Sequence, residues 1–301
     1  MSVLVFGSTN VDLVMRPTRL PAPGETVLCS SYQMVPGGKG ANQALAARRA
    51  GAEVTFVSAV GCDANAETAL SNLRADDVNL ESVKRTEYPT GCAVVLVEES
   101  GENAICVASG ANRKVSACQV KDEMLASAKI LLLQQEVSVE ENTTLVTRAK
   151  TAGVPVLCNL APVRQVPDNF LSDVDYLVMN EIEAARLMGT SAAARTPQEL
   201  AEALANHHHL TAVLTLGGDG VIFTTAGKAH HLHAPVITAV DTTGAGDTFT
   251  GYLAAGLARE ADLPAALPVA VEAASMACTR TGAQTAIPVA GPRGVLQLKI
   301  D

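Results

Sequence analysis

One run of glycine, threonine and aspartate has the composition of an anion-binding loop with a base beside it: Asp241-Thr-Thr-Gly-Ala-Gly-Asp247-Thr-Phe. The apolar residues Val236–Val240 before it predict a strand, and the Ala-rich segment after it predicts a helix. Glycines between a strand and a helix aim free backbone N–H groups at an anion, and the helix dipole strengthens the attraction. Asp247 would repel a phosphate held there permanently, but it could take a proton from a hydroxyl that attacks the phosphate. The alternative is a Gly-rich turn in which Asp247 only caps the helix.

A second glycine cluster, Pro36-Gly-Gly-Lys-Gly-Ala-Asn42, also leads into a predicted helix. Its spacing is not that of the Walker loop, and no Ser or Thr follows Lys39, so Walker-type nucleotide binding is excluded. Lys39 and Asn42 could instead hydrogen-bond to a polyhydroxyl ligand, which Gly37 and Gly38 would allow to approach closely. The alternative is a plain turn at the start of a helix.

Polar residues also follow several predicted strands. Asn10 and Asp12 come after the first strand, Glu136 ends the strand LLLQQE, and Asn180 and Glu183 begin a helix after YLVM. Taken singly, each is more simply a surface residue or a helix cap. Their convergence on one edge of a sheet is what makes them candidates for a binding site.

The loop Thr215-Leu-Gly-Gly-Asp-Gly220 lies between two apolar strands. This pattern predicts a hairpin turn, with contact to a nucleotide as the alternative. The six histidines form two clusters, His207–His209 and His230, His231 and His233. Because no carboxylate or cysteine framework accompanies them, we predict solvated loop and strand positions for them rather than a metal site.

Short β-branched runs alternate with longer segments of helical spacing, which predicts an α/β fold with a mostly parallel sheet. In such sheets ligands bind beyond the carboxyl ends of the strands. The predicted strands are Val3–Phe6, Val54–Ala59, Ile130–Gln134, Val154–Asn159, Tyr176–Met179 and Ala212–Leu216, and the predicted helices include Ala41–Arg49, Asn65–Ala75, Glu141–Ala152, Glu181–Met188, Pro197–Ala205 and Gly246–Arg259.

Two stretches depart from this alternation, Val11–Met34 and Thr90–Ala108. The second reads as two strands around the turn Glu99-Ser-Gly-Glu102. Separated strand segments of this kind suggest a small β-sheet lid over the ligand edge of the main sheet. We therefore expect residues 1–301 to form a single α/β domain with a discontinuous lid from about 11–34 and 90–108.

Composition excludes several classes of protein. Of 301 residues, 48% are apolar and 18% charged, which excludes a disordered chain. The 22 basic and 31 acidic residues give a net charge of −9, which disfavours a nucleic-acid binder. The apolar stretch Leu263–Cys278 contains Pro268 and Glu272, so no membrane span is expected. Seven cysteines without a CxxC pair, and a start without a signal peptide, predict a cytoplasmic protein.

Six segments in this order, GSTNVD, GGKGANQA, LCNLAP, MNEIEAARL, TLGGDGV and DTTGAGDTF, resemble the ribokinase-like (PfkB) carbohydrate kinase family over the whole chain. The resemblance implies the family's three-layer α/β fold with a small β-sheet lid. It also implies ATP-dependent phosphorylation of a sugar hydroxyl, with D-ribose as the expected substrate and ribose 5-phosphate as the product. Relatives pack two lids together, which implies a homodimer. The alternative is a monomer in which the apolar face of the lid folds down on its own large domain.

The resemblance also implies a role for each matching residue. Asp247 would be the general base, and the amides of Gly244, Ala245 and Gly246 would form the anion hole for the transferred phosphoryl group. Asn180 and Glu183 would organise Mg²⁺ and the phosphates, with Glu183 contacting the metal through water. The sugar would contact Asn10, Asp12, Gly38, Lys39, Asn42 and Glu136, and the nucleotide would contact Thr215, Gly217 and Gly220 as well as Asn180 and Gly246.

A monovalent cation, K⁺, is implied beside Asp241 and Thr243, with backbone carbonyls around Ala277, Arg280 and Gly282. The chain departs from the family pattern at two positions. Ala286 stands where a hydroxyl residue often completes the cation shell, and Val271 stands near the purine where relatives often have Asn or His. The cation ligand count and the nucleotide selectivity therefore stay open.

Other activities also stay open. A sugar-phosphate kinase needs cationic groups for the existing phosphate, but only Lys39 is basic among the implied sugar residues. A nucleoside kinase needs a base pocket, but only Tyr32 and Tyr88 offer aromatic rings near the lid. A non-catalytic sugar sensor would be marked by loss of Asp247, which is present. A dinucleotide-binding redox enzyme is disfavoured because GSTNVD, not GxGxxG, follows the first strand.

Overall fold

The computed structural model describes residues 2–98, 103–191, 194–291 and 296–298. The predicted turn at Glu99–Glu102 lies outside the described residues. The strands are β1 (Ser2–Phe6), β2 (Asn10–Met15), β3 (Tyr32–Gly37), β4 (Glu53–Gly61), β5 (Val83–Thr86), β6 (Gly91–Val97), β7 (Asn103–Ala108), β8 (Ile130–Gln134), β9 (Val156–Asn159), β10 (Tyr176–Asn180), β11 (Thr211–Thr215), β12 (Val221–Thr225), β13 (Lys228–Leu232), β14 (Val289–Ala290) and β15 (Leu296–Gln297). The α-helices are α1 (Lys39–Arg49), α2 (Ala64–Ala75), α3 (Asp122–Ser127), α4 (Val139–Ala152), α5 (Asp168–Ser172), α6 (Glu181–Leu187), α7 (Pro197–His208), α8 (Ala245–Ala258) and α9 (Leu263–Ala277).

The central sheet has nine strands in the order β13-β12-β11-β10-β9-β8-β1-β4-β5. Every neighbouring pair from β11 to β5 is parallel, while β12 and β13 pair antiparallel at one edge. Parallel strands bring their carboxyl ends to one edge, so the polar residues that follow β1, β8, β9, β10 and β11 lie at the same edge. The predicted mostly parallel sheet is confirmed.

Side chains of the central strands alternate between two apolar cores, one on each face of the sheet. In β1, Val3 and Val5 pack with residues of α1, α8 and α9, whereas Leu4 and Phe6 pack with residues of α4 and α7. Strands buried on both faces read as continuous apolar runs, which is how β1 and β8 appear in the sequence. The predicted three-layer fold is confirmed.

A second sheet has four strands in the order β3-β2-β6-β7. β2 and β6 are parallel, and the two outer pairs are antiparallel. Its strands come from two separated segments, as predicted. The first segment ends at Gly37 instead of Met34, and the second begins at Gly91 instead of Thr90. This small sheet carries Asn10 and Asp12 on β2, which connects it to the candidate site.

One predicted strand is wrong. Residues 236–240 form no strand, and the side chains of Val236 and Val240 are largely exposed. Pro235 just before them has no N–H to donate to a sheet. Val236 and Ile237 instead line a pocket with Thr215 and Val271, so the apolar residues face a cavity rather than a neighbouring strand.

Four of the six histidines lie on a helix or a strand. His207 and His208 are in the last turn of α7, so their predicted loop position is wrong, and His209 ends that helix in the left-handed conformation. A histidine at a helix C-terminus is favoured by the helix dipole. The predicted helix ended at Ala205, so the sequence pattern did not include this last turn. His230 and His231 are on β13, as predicted. Among the described residues, no group of three or more His, Cys, Asp or Glu side chains is arranged to hold a metal ion.

The 15-residue helix α9 has the apolar stretch noted above and contains Pro268. In the described part of the chain, no helix has both the length and the apolar character to cross a membrane.

Candidate active site

The glycine loop before α8 has the geometry of a helix N-terminus open to a ligand. Gly244 is the N-cap residue with a φ of 75°, in the left-handed region that glycine adopts without strain. A Cβ on Gly246 would meet no atom within 4 Å, so the space beside it is open. The Ala245 N–H donates to the Thr242 carbonyl at 3.2 Å, and a bound anion would have to share this donor.

Asp247 is buried in the first turn of α8, and its carboxylate faces α1. Oδ2 accepts a hydrogen bond from Asn42 Nδ2 at 2.9 Å, and Oδ1 accepts one from Gln43 Nε2 at 2.8 Å. Gly244, not Asp247, is the N-cap, so the alternative that Asp247 only caps the helix is wrong. Sequence reasoning missed Gln43, whose only signal is its position next to Asn42 at the start of α1.

The strand β8 covers Ile130–Gln134, as predicted, and Glu136 lies two residues beyond its end instead of ending it. Its Oε2 accepts hydrogen bonds from Ser8 Oγ at 2.6 Å and from the Lys39 backbone N–H at 3.0 Å. Ser8 Oγ also accepts from the Gly40 N–H at 3.2 Å. These contacts hold the Glu136 carboxylate against the start of α1, and Ser8 is a second residue that sequence reasoning missed.

Asp12 is a half-buried carboxylate surrounded by other charges. Burial, followed by the negative charges of Glu136 and Asp247, raises the pKa of Asp12 to about 7, although Lys39 opposes the shift. Its Oδ1 is buried and has no hydrogen-bond partner among the residues that the structure describes. A Cβ on Gly37 would lie 2.2 Å from Asp12 Oδ2, so any larger residue at position 37 would displace this carboxylate. An acceptor without a donor at this place suits a ligand rich in hydroxyl groups.

Asn10 and Gly38 come together beside Asp12. Gly38 has a φ of 91°, and a Cβ there would lie 2.8 Å from the Asn10 backbone nitrogen, so close packing as well as conformation requires glycine. Asn10 Oδ1 accepts from Asn112 Nδ2 at 2.7 Å, and Asn112 Oδ1 accepts from the Thr9 N–H at 2.9 Å. Asn112, which fixes the orientation of the Asn10 amide, is a third residue that was not predicted.

Lys39 is the cation at the centre of these carboxylates. The negative charge of Asp247 raises the pKa of Lys39 despite the burial of the ammonium group, and Glu136, Glu183 and Asp12 act in the same direction. Lys39 therefore stays protonated and offsets part of the acidic charge.

Two adjoining pockets lie along the carboxyl edge of the sheet. The smaller, of about 140 Å³, is polar and includes Lys39, Asn180, Glu183, Gly244 and Asp247 in its lining. The larger, of about 390 Å³, is mainly apolar. Thr215 and Gly246 line both pockets, so the two are continuous. The lining of the larger pocket also contains Gly217, Gly220, Val236, Ile237, Ala245, Val271, Ala274 and Cys278.

Thr215–Gly220 forms the predicted hairpin between β11 and β12, closed by a hydrogen bond of 2.8 Å from Leu216 N to the Gly220 carbonyl. Because this turn also lines the larger pocket, the two interpretations of the loop are compatible. Val271 lies on α9 in the wall of the same pocket.

Asn180 and Glu183 form a reciprocal cap on α6. Asn180 Oδ1 accepts from the Glu183 N–H at 2.7 Å, and the Asn180 N–H donates to Glu183 Oε2 at 2.8 Å. Burial raises the pKa of Glu183, although the hydrogen bond from Asn180 and the charge of Lys39 oppose the shift. The simpler interpretation, a helix cap, is therefore correct, and the two side chains also face the polar pocket.

The segment predicted to bind a monovalent cation is held together by Asp241. Its Oδ1 accepts from the Thr243 N–H and its Oδ2 from the Gly282 N–H, both at 2.9 Å. Burial alone would raise the pKa of Asp241, but these hydrogen bonds outweigh it and lower the pKa. The Ala277 carbonyl accepts from the Arg280 N–H at 3.2 Å. Ala286 is fully buried and contributes no ligand oxygen from its side chain.

The chain resembles known proteins over nearly all its length. A sequence model of the pfkB family carbohydrate kinases matches residues 1–290. The ribokinase of Haemophilus influenzae is 35% identical over 293 residues, covering 95% of each chain, and that of Bacillus subtilis is 36% identical over 293 residues, covering 95% of this chain and 96% of the relative.

Solved structures agree with these relatives. The ribokinase of Thermotoga maritima superposes with a TM-score of 0.87 at 30% identity, covering 96% of this chain and 95% of that one. Arabidopsis thaliana ribokinase complexed with ribose and ATP superposes with a TM-score of 0.86 at 33% identity, again covering 96% and 95%. This chain belongs to the pfkB family of carbohydrate kinases.

Proposed function

We propose that this chain transfers the γ-phosphoryl group of ATP to a hydroxyl of D-ribose and produces D-ribose 5-phosphate. One observation carries the proposal: the buried Asp247 carboxylate lines the polar pocket and also lies close enough to Asp12 and Lys39 to influence their ionisation. A base between the two groups can accept the proton of a hydroxyl on one side while that hydroxyl attacks a phosphate on the other side. The similarity to the ribokinase that binds ribose and ATP supports this choice of substrates.

In the proposed reaction, Asp247 accepts the proton of the attacking hydroxyl while that oxygen bonds to the γ-phosphorus. The bond between the γ-phosphorus and the bridging oxygen breaks, and ADP leaves. The backbone amides of Gly244, Ala245 and Gly246 stabilise the charge on the transferred group. The residues proposed to hold the sugar are Asn10, Asp12, Gly38, Lys39, Asn42 and Glu136.

ATP would occupy the larger pocket, with its base against apolar side chains and its phosphates in the polar pocket. Thr215, Gly217 and Gly220 would contact the nucleotide, and Val271 would give the base an apolar wall. Mg²⁺ would neutralise charge on the phosphates when it is bound. The oxygen atoms of Asn180 and Glu183 suit a hard cation and its water molecules, so these residues would hold it through water.

The activity is tested by a coupled assay for ADP release against D-ribose, 2-deoxyribose, hexoses, nucleosides and sugar phosphates. We expect the highest kcat/KM with D-ribose. 2-Deoxyribose belongs in the panel because a relative that is 31% identical is the deoxyribokinase of Salmonella typhi. A higher kcat/KM with any other compound would overturn the proposed substrate but not the kinase family.

We expect K⁺ to raise activity, and its replacement by Na⁺ to lower it. Asp241 and the carbonyls around Ala277, Arg280 and Gly282 supply oxygen ligands, and a cation there would order the loop that leads to Gly244. The measurement is kcat/KM in K⁺, Na⁺ and a buffer with neither ion, with Asp241→Asn as the variant that should no longer respond. Equal kcat/KM in all three buffers would contradict a functional cation site.

We further propose that residues 1–301 are one kinase domain whose lid pairs with the lid of a second copy. Val95 on β6 is opposite Ile105 on β7, and cross-strand partners share a face. Asp12 on β2 is paired with Ala93 on β6. Ala93 is two residues from Val95 and shares its face, so Asp12 lies on that face as well. Ile105 is 57% exposed on this face and its neighbour Val107 is 44% exposed, so an apolar strip continues outward from the sugar side of the lid.

Val95→Glu is expected to convert a homodimer into a monomer with weaker ribose binding, because the charge would lie within that apolar strip. Light scattering gives the mass, and calorimetry gives ribose affinity. Val269→Glu, at a partly exposed position on α9, is the matched control and should leave the dimer intact. A wild-type protein with the 31.1 kDa mass of one chain would refute pairing of the lids.

We also propose that the protein works in the cytoplasm. All seven cysteines are free thiols, six of them partly or fully exposed. Free thiols are usual in a reducing compartment.

A further inference from the structure

Each oxygen of the Asp247 carboxylate is held by one side-chain amide, and the two amides come from neighbouring residues of α1. Gln43 donates to Oδ1 and Asn42 donates to Oδ2. An amide can rotate and present its oxygen instead, which would repel the carboxylate. The question is therefore what keeps the two NH₂ groups turned toward Asp247.

The Gln43 amide is oriented by Asn159. Gln43 Nε2 donates one hydrogen to Asp247 Oδ1 and the other to Asn159 Oδ1 at 2.9 Å. Asn159 Nδ2 in turn donates to the Val178 carbonyl at 3.1 Å, which leaves Asn159 Oδ1 as the acceptor. A flipped Gln43 amide would face two acceptors with its own oxygen. Gln43 is fully buried, so water cannot relieve that repulsion.

The Asn42 amide is oriented by Gln284. Gln284 Nε2 donates to Asn42 Oδ1 at 3.0 Å, which turns the Asn42 NH₂ group toward Asp247. Gln284 Oε1 accepts from Asn72 Nδ2 at 3.1 Å, so the Gln284 amide is fixed in the same way. The Gln284 backbone carbonyl also accepts from Arg49 Nη1 at 2.7 Å. Gln284 is buried and acts on Asp247 only through Asn42.

We infer that Gln43 and Gln284 are positioning residues that hold the Asp247 carboxylate in one orientation for proton transfer. The inference rests on the proposed role of Asp247 as the base. Hydrogen bonds to a charged acceptor are stronger than those to a neutral one, so two aligned amide donors fix the direction of the carboxylate oxygens.

The test uses Gln43→Met and Gln284→Met, which keep most of the side-chain volume and remove the amide. We expect each to lower kcat by about tenfold. The KM for ribose should stay within about threefold of wild type. The matched control is Thr224→Val, which removes a buried hydrogen bond of 2.9 Å to Ala212 N far from the pockets. It should lower Tm and leave kcat and the KM for ribose unchanged.

A double variant separates positioning from a general structural effect. In the Asp247→Asn background, Gln43→Met should cause no further loss of kcat, because the group that it orients has been removed. A further tenfold loss would overturn the inference for Gln43. Retained turnover in Asp247→Asn alone would instead overturn the proposed base.

If Gln43→Met does not yield folded protein, as judged by a cooperative thermal transition, Gln284→Met tests the inference in its place. Hydrogen bonds connect the Gln284 side chain to Asp247 through Asn42, so a lower kcat with an unchanged KM for ribose would reflect the orientation of Asn42. An unchanged kcat in the folded Gln284→Met protein would overturn the inference.

Discussion

Asp247→Asn should lower kcat by ~10²–10⁴-fold while sugar and ATP still bind. The change keeps the shape of the side chain and one acceptor oxygen, but it removes the group that takes the proton of the attacking hydroxyl. Asn42 and Gln43 both donate to this carboxylate, so one of the two contacts in the variant would bring two NH₂ groups together. A modest loss of stability is therefore expected beside the large loss of turnover.

Single-turnover assays of ADP release measure the chemical step in this variant, and calorimetry measures binding of ribose and ATP. Asp262→Asn is a suitable control, because Asp262 caps α9 with a hydrogen bond of 2.9 Å to Ala265 N and belongs to neither pocket. It changes one carboxylate to an amide without touching the site. An Asp247→Asn protein with more than about half of wild-type kcat would exclude Asp247 as the general base.

Much of the fold could be predicted because the sequence pattern and the three-dimensional environment agree along most of the chain. Strands such as β8 are buried on both faces and read as short apolar runs, while α1 and α4 have helical spacing. The glycine segments were recognisable for a different reason. A positive φ at Gly38 or Gly244 is open to few other residues, so glycine there marks a special backbone conformation.

The run Val236–Val240 shows where such patterns fail. Its residues have the composition of a buried strand, but they lie against an open pocket instead of a neighbouring strand. Composition records that a side chain favours an apolar environment. It does not record whether protein or ligand supplies that environment.

The residues that orient the site could not be predicted at all. Gln284 bonds to Asn42 across 242 positions, and Asn112 bonds to Asn10 across 102. Buried amides occur in every layer of an α/β protein, and nothing local distinguishes one that orients a carboxylate. Only the packing of α1 against α8, and of the lid strand β2 against the residues after β7, brings these partners together.

Asp12→Ala should weaken ribose binding by roughly 10–150-fold, which corresponds to the ~1.5–3 kcal/mol that a hydrogen bond to a charged group contributes. Asp12 Oδ1 is buried without a partner among the described residues, and sugar hydroxyls would provide the missing donors. The loss should appear in the KM for ribose and in the calorimetric affinity, with a smaller effect on the KM for ATP. An unchanged ribose affinity would remove Asp12 from the sugar site.

The same side chain makes ribose affinity depend on pH. Burial and the neighbouring carboxylates raise the pKa of Asp12 to about 7 in the free protein, so its acceptor form becomes scarce as the pH falls below that value. Ribose affinity should then drop about tenfold per pH unit below 7, with proton release on binding, and Asp12→Asn should abolish this dependence.

The stability of the free protein should change with pH in the direction opposite to ribose affinity. The raised pKa means that the folded state binds more protons than the unfolded state between pH 3.8, the unperturbed value, and about 7. The contribution of Asp12 to the free energy of unfolding is therefore complete below that window and is lost as the pH rises through it. Asp12→Asn, which stays neutral, should raise Tm relative to wild type at pH 8 more than at pH 4. Thermal melts at the two pH values measure the difference, and an equal change in Tm at both would show that Asp12 does not titrate in this window.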